Sequence, residues 1–363
     1  MLVLAGSLTG SPVDTTKPIH LSGHAQGTTW HITYYQTDST ALPGHADSTP
    51  LSSHMENTTL STQVGSVQST HVGSVLSTQV GSILPRQIDS ILDKIDSSLS
   101  LYKPYSLVCQ FNRSDKAIRM DEHLQHVVVA SLDTWRQTNG DFDVTVQPLV
   151  EAWGFSAHRQ DQYPDSARIR QLLTCVGSEQ LSINGDILVK SKPCIRIDPD
   201  GIAQGYSVDV LADFLELHGI NNYIVELGGE LRVRGGKHIG IEAPNEDAFQ
   251  QPVMQKILYV NRGAITTSGN YRAFHERGGK KFSHTIDPHT GFPSDNELIS
   301  VTVYASNAIT ADAYDNVFVL MGLERSIQFI NKRKDLSAFF IYRKKDGSIA
   351  TYSTKSFNAL LQP

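Results

Sequence analysis

Apolar positions along this chain follow two periods. Between residues 27 and 35 the β-branched and aromatic side chains Thr28, Thr29, Trp30, Ile32, Thr33, Tyr34 and Tyr35 predict a strand. From Pro85 onward, Ile88, Ile91, Leu92, Ile95 and Leu99 recur at helical spacing. Leu124, Val127, Leu132 and Trp135 mark the inward face of a second helix over 121–138, and 202–218 reads as a third, closed by Gly219. Tyr223-Ile224-Val225-Glu226-Leu227 predicts a buried strand ending in Gly228-Gly229, and 238–241 predicts another. Residues 338–342 and 349–352, joined across Asp346-Gly347, predict a hairpin. Loose alternation of helices and strands, with hairpins included, predicts an α/β (α+β) fold of mixed sheets covered by helices.

One stretch has neither period. Residues 37–60 are rich in Ser, Thr, His and Pro, and an octapeptide repeat follows: Ser61-Thr62-Gln63-Val64-Gly65-Ser66-Val67 returns at Ser69 and again at Ser77. Three copies of so short a unit cannot enclose a core. Residues 37–84 are therefore predicted to be a flexible inserted loop within a domain spanning 23–363. Asn57-Thr58-Thr59 has the form of an N-glycan acceptor. Residues 1–22 read as a tail. Leu2-Val3-Leu4-Ala5-Gly6 looks like the end of a secretory apolar region, and Leu4-Ala5-Gly6 like the residues before a lipoprotein cysteine. Ser7 stands where that cysteine would be, and a basic leader is missing. The expectation is an exported, periplasmic or cell-envelope protein, lipid-anchored in its natural form.

Composition narrows the function classes. A net charge of -6 without any Lys/Arg-rich run argues against nucleic acid as a partner. No apolar run is long enough to form a membrane-spanning helix. Cys109, Cys175 and Cys194 fit no zinc or redox spacing and read as buried thiols.

Four segments carry candidate chemistry. They are Gly140-Asp141-Phe142-Asp143-Val144-Thr145 with Trp153-Gly154-Phe155; Ile197-Asp198-Pro199-Asp200-Gly201-Ile202-Ala203-Gln204-Gly205; Thr267-Ser268-Gly269-Asn270-Tyr271 with His284-Thr285-Ile286-Asp287-Pro288; and Ala311-Asp312-Ala313-Tyr314-Asp315-Asn316. Asp312, Asp315 and Asn316 sit at i, i+3 and i+4, on one face of a short helix whose start Thr310 can cap. Hard oxygen ligands on one face suit Mg²⁺; a solvated helix face is the alternative. Gly201 and Gly205 open a helix, where glycines admit a ligand close to the backbone and the N–H groups favour a pyrophosphate. His284 is the best general-base candidate, because imidazole ordinarily titrates near neutrality.

Together with Gly27-Thr28-Thr29-Trp30 and Tyr102-Lys103-Pro104, these segments resemble the ordered signature of the ApbE family of FAD:protein FMN transferases, over residues 23–36 and about 86–345. The resemblance implies a single large T-fold-related domain with FAD as substrate and Mg²⁺ as cofactor. It implies metal ligation by Asp312, Asn316 and the Gly201 carbonyl. It implies FAD contacts at Tyr102, Asp141, Phe142, Asp143, Asp198, Gln204, Thr267, Ser268, Gly269, Thr285, Ile286 and Asp287, with His284 as base and Asp287 able to orient it. The implied partner is an acceptor protein presenting a Ser or Thr hydroxyl, a membrane redox-complex subunit. Three positions depart from the family: Asn316 replaces the usual Thr, Gln204 a Lys or Glu, and Gln26 a Met. An amide oxygen still ligates Mg²⁺, whereas Gln204 supplies no charge. The competing readings are an FAD pyrophosphatase, a non-catalytic flavin-binding protein, and a surface binding module with the repeat as its working part.

Overall fold

The computed structural model describes residues 2–4, 17–35, 83–156, 163–242, 254–269, 274–277 and 280–361. The octapeptide repeat, and Asn270 and Tyr271 of the third motif, lie outside the described residues. In chain order the strands are β1 (Leu2–Leu4), β2 (Pro18–Ala25), β3 (Thr28–Tyr35), β4 (Ala117–Arg119), β5 (Leu181–Asn184), β6 (Ile187–Lys190), β7 (Tyr223–Leu227), β8 (Glu230–Glu242), β9 (Met254–Gly269), β10 (Phe274–Arg277), β11 (Lys280–Ser283), β12 (Leu298–Ala305), β13 (Ser337–Arg343) and β14 (Ile349–Ser353). The helices are α1 (Pro85–Leu99), α2 (Leu107–Arg113), α3 (Glu122–Gln137), α4 (Gln147–Ala152), α5 (Ser166–Leu173), α6 (Asp200–Leu217), α7 (Ala308–Ile330) and α8 (Lys355–Asn358).

The large sheet runs β14-β13-β12-β9-β8-β7-β3-β2, with neighbours antiparallel. β1 pairs with β8 through Leu2–Leu4 and Ile239–Ile241, so residues expected to end an export signal form an added strand. The domain boundary expected at residue 22 falls inside β2. The predicted strands at 28–35 and 223–227 and the hairpin at 338–352 are present, and 238–241 is part of the longer β8.

Each face of the sheet buries its own set of side chains. On one, Trp30, Ile32 and Val225 pack with Ile88, Leu92 and Ile95 of α1, Leu124 and Val127 of α3, and the buried sides of α6 and α7. On the other, Val233, Ile241, Leu258 and Ile341 pack with Phe357 of α8. α6 is buried on most sides, lying between the sheet and another helix.

Three sequence expectations about α6 and α7 are corrected. α7 is not short, and Asn307, not Thr310, caps it: the Asn307 side chain accepts from Thr310 N. Asp209 of α6 adds a second cap, accepting from Ala308 N and Ile309 N at 2.9 Å each. A carboxylate at a helix start satisfies N–H groups that have no intrahelical partner. Gly205 serves helix packing and not ligand approach, for a Cβ there would lie 2.4 Å from the Ala308 carbonyl oxygen.

The cysteines are also corrected. Cys175 and Cys194 form a disulfide, and Cys109 is a half-buried thiol. Their 19-residue separation matches no motif. Only the fold brings the two Cα atoms to 5.6 Å.

Candidate active site

The site lies where the start of α6 meets the first turns of α7. Ile202 N and Ala203 N both bond to Pro199 O, closing the first turn of α6. The segment leading into it is held straight by Asn112, whose side chain exchanges hydrogen bonds with Ile197 N and O at 2.7 and 2.9 Å. Buried Lys190 donates to Ile195 O at 2.8 Å, and Asp198 N reaches Val144 O at 2.7 Å. These contacts set Asp198 and Gly201 over α7.

Across that crossing, Asp312 is buried and its Oδ2 accepts from Gly205 N at 2.8 Å. Asn316 Nδ2 sits among four oxygens: Asp312 O at 3.0 Å, Asp315 Oδ1 at 3.0 Å, Asp312 Oδ1 at 3.3 Å and Gly201 O at 3.5 Å. Its Oδ1 accepts from Ser268 Oγ at 3.4 Å. The three implied metal ligands are therefore brought together. Among the described residues no three His, Cys, Asp or Glu side chains converge as a metal site. The implied ligand set contains only one carboxylate, one amide and one carbonyl.

Three cavities meet here, and Asp200 borders all of them. A cleft of about 970 Å³ lies between the β2–β3 turn, α1 and the start of α6, with Tyr102 and Gln204 in its lining. A cavity of about 180 Å³ is lined by Asp141, Phe142, Asp143, Asp198, Gly201, His284, Thr285, Ile286 and Asn316. A third, of about 240 Å³, contains Tyr102, Gln147, Arg196 and Asp198. Two buried polar atoms in these linings, Thr285 Oγ1 and Gln147 Oε1, have no hydrogen-bond partner among the described residues. Such orphans are costly unless a ligand satisfies them.

Several predicted residues also make contacts within the fold. Asp143 spends its carboxylate on Thr145 N, Thr145 Oγ1 and Ser178 N and Oγ, so it braces the cavity wall. Asp287 Oδ1 accepts from His289 N at 2.8 Å and Thr290 N at 3.3 Å, closing the turn after the motif, and Asp287 does not line the small cavity. Thr267 bonds to Thr302 across the sheet at 2.9 Å. Gly269 ends β9. Gln26, in the β2–β3 turn, donates to Ser207 Oγ of α6 at 2.9 Å.

Other contributors were missed from sequence. Arg325 Nη2 pairs with Asp141 Oδ2 at 2.6 Å, and His289 Nε2 lies 3.5 Å from Asp141 Oδ1. Glu230 is buried, and among the described residues its Oε2 has no hydrogen-bond partner. The Gly228-Gly229-Glu230 hairpin turn after a buried strand was the available signal for Glu230. Nothing local signals Arg325, which is 184 residues from its partner.

The electrostatics are those of crowded, desolvated acids. Burial pushes Asp312 up to about 7. Burial, then the charge of Asp200, pushes Asp198 up to about 8. Burial, then the Asp312 charge, raises Asp315 and Glu230 well above the usual carboxylate range.

The ApbE family model matches residues 27–340. The chain belongs to the ApbE family. It is 33% identical over 354 residues to an FAD:protein FMN transferase of Vibrio cholerae, covering 95% of this chain and 93% of that protein. It is 34% identical over 281 residues to an FAD:protein FMN transferase of Escherichia coli, covering 74% of this chain and 79% of that one. Among solved structures it resembles the flavin transferase ApbE from Vibrio cholerae (TM-score 0.75, 32% identity, 95% of this chain and 100% of that chain). It also resembles the apo Pseudomonas stutzeri flavinyl transferase ApbE (TM-score 0.76, 28% identity, 95% and 97%). The expected mixed α+β fold is thus the ApbE fold.

Proposed function

We propose that this protein cleaves the FAD pyrophosphate and transfers FMN to a Ser or Thr hydroxyl of an acceptor protein, releasing AMP. The observation that carries this reading is the convergence of Asp198, Gly201, His284, Thr285 and Asn316 on one small cavity beside a cleft of about 970 Å³. Names of relatives supply the reaction and the substrate.

Mg²⁺ fits the residues present. The Asp312 carboxylate is a hard oxygen donor of the kind Mg²⁺ takes; it is buried and, among the described residues, accepts from the neutral Gly205 N–H and the Asn316 amide. Asp312, the Gly201 carbonyl and the Asn316 amide oxygen would hold the ion, the last after a half-turn of the amide. When bound, Mg²⁺ neutralises pyrophosphate charge and eases departure of AMP.

The chain's own groups supply the rest. His284 takes the proton of the acceptor hydroxyl, whose oxygen attacks the FMN phosphorus. The phosphoanhydride bond to AMP breaks, and a phosphoester to the protein forms. Thr285 Oγ1 and Gln147 Oε1 offer hydrogen bonds to polar edges of the bound flavin nucleotide. Tyr102, on the lip of the cleft, offers a ring for stacking.

We place the protein in an exported or envelope setting, with a membrane redox-complex subunit as acceptor. The Cys175–Cys194 disulfide supports an oxidising compartment. Incubation with FAD and Mg²⁺, with and without an acceptor protein, tests the activity. Transfer yields a covalent fluorescent adduct plus AMP. Free FMN alone indicates a pyrophosphatase, and unchanged FAD indicates a binding protein.

A further inference from the structure

α7 carries the proposed metal-binding side chains in its first half and Arg325 in its second. Between them the helical backbone breaks at Gly322, at φ 76° and ψ 171°. That φ suits glycine and strains other residues. The break parts Leu323 N from Val319 O, and two neighbouring side chains satisfy the separated groups. Glu297 Oε1 accepts from Leu323 N at 2.8 Å, and Asn296 Nδ2 donates to Val319 O at 2.8 Å. The bend is thus held on both sides. Beyond it, Arg325 Nη2 reaches Asp141 Oδ2 at 2.6 Å.

The two ends of this ion pair differ in setting. The Asp141 side chain is 5% exposed and that of Arg325 is 59% exposed. Asp141 lines the small cavity that also contains His284, Gly201 and Asn316, whereas Arg325 is outside that lining. Asp143, Asp198 and Asp200 border the same cavity. Among the described residues, Arg325 is the one Lys or Arg that pairs with any of these four acids. The pyrophosphate of FAD is itself anionic. Like charges a few ångströms apart repel by kcal/mol when they are shielded from bulk water. An unpaired Asp141 would therefore oppose the ligand that the cavity must admit.

We propose that Arg325 is a positioning residue for FAD: by pairing with Asp141 from outside the cavity lining, it cancels the charge of that wall and lets the pyrophosphate bind beside Gly201 and Asn316. The inference rests on the function proposed above. Arg325 acts through Asp141 and touches neither the metal site nor the reacting atoms. Its effect therefore falls on FAD affinity and KM, with kcat little changed. His289 Nε2, 3.5 Å from Asp141 Oδ1, is the other basic group facing this carboxylate. A plain structural staple, tying the end of α7 to the loop at 140–143, is the competing role, and charge separates the two. Replacing Asp141 with Asn removes the need for Arg325 if its task is neutralisation. The same change does nothing to restore a lost staple.

The test uses the full chain with FAD and Mg²⁺. Wild type, Arg325→Met, Arg325→Lys, Asp141→Asn and the Arg325→Met/Asp141→Asn double variant are compared for FAD affinity by flavin fluorescence and for kcat and KM of FAD turnover. We expect Arg325→Met to bind FAD about tenfold more weakly, the size of one uncompensated charge near an anion, with kcat little changed. Arg325→Lys keeps most of the affinity. Asp141→Asn binds FAD at least as tightly as wild type, and the double variant recovers the affinity that Arg325→Met loses. The loss in Arg325→Met also shrinks as salt screens the exposed charge. Unchanged FAD affinity in Arg325→Met overturns the proposal. So does a loss that Asp141→Asn fails to recover, which assigns the pair to bracing alone. If wild type binds no FAD, the function proposed above fails first and takes this inference with it.

Discussion

The backbone N–H of Gly205 donates to Asp312 Oδ2 at 2.8 Å, and a methyl group on Gly205 would lie 2.7 Å from the Asp312 Cβ. One glycine thus sets both how closely α6 and α7 cross and where the proposed metal-binding carboxylate points. Gly205→Ala forces the helices apart, and overpacking of this kind costs about 1–3 kcal/mol. The melting temperature should fall and metal affinity weaken together. An alanine variant with wild-type values of both would separate the glycine from the site.

Asp312→Ala should abolish Mg²⁺-dependent turnover and weaken FAD binding. Asp312 supplies the only charge in the proposed ligand set. Isothermal titration with Mg²⁺, followed by FAD, measures the two losses. Full activity in this variant would remove Asp312 from the metal site.

For His284→Ala we expect transfer to slow by roughly 10²–10⁴-fold, the usual size of a general-base effect. FAD affinity should be largely retained, and the acidic limb of the pH–rate profile should disappear. The opposite pattern, normal turnover with poor FAD binding, would make His284 a flavin contact.

Stability without ligand should depend on pH through half-buried Asp198 and buried Asp312. Asp198 is raised to about 8 and Asp312 to about 7. From the ordinary carboxylate pKa near 4 up to those values, the folded protein keeps protons that the unfolded chain has released. Their contribution is therefore present in acid and is lost as pH rises through that window. Asp198→Asn should flatten the profile: the variant gains melting temperature relative to wild type at pH 8 but not at pH 4. Parallel profiles for the two proteins would show that Asp198 titrates normally.

Replacing Cys175 and Cys194 with Ala frees a loop with 19 residues of separation, and loops of this size are worth about 3 kcal/mol when cross-linked. Denaturant unfolding of the double variant should show a loss of that order, and dithiothreitol should produce the same loss in wild type alone. Because α5 leads into Ser178, which anchors Asp143, FAD affinity should fall as well.

Much of this protein is legible along the chain. The strand at 223–227, the hairpin at 338–352 and the helices at 85–99 and 200–217 follow from apolar period and turn residues, which are properties of near neighbours. The motifs around Asp198, His284 and Asp312 mark the site because each keeps its chemistry in a short run of residues. What each side chain does within the site was decided by distance across the fold. Asp143 and Asp287 read as flavin contacts from their motifs alone; that Asp143 also bonds to Ser178, and that Asp287 closes its own turn, only the fold shows. Gly205 read as a ligand glycine, yet Ala308, more than a hundred residues on, occupies the space its missing side chain leaves. Arg325 beside Asp141, the unpartnered Glu230 and the Cys175–Cys194 bond carry no local signature at all. A carboxylate, an amide or a thiol has the same identity in sequence whether it braces a wall or awaits a ligand. Only the packing of α6 on α7 and of both on the sheet determines which atoms come within bonding distance, and so which polar groups are already satisfied and which remain for a ligand.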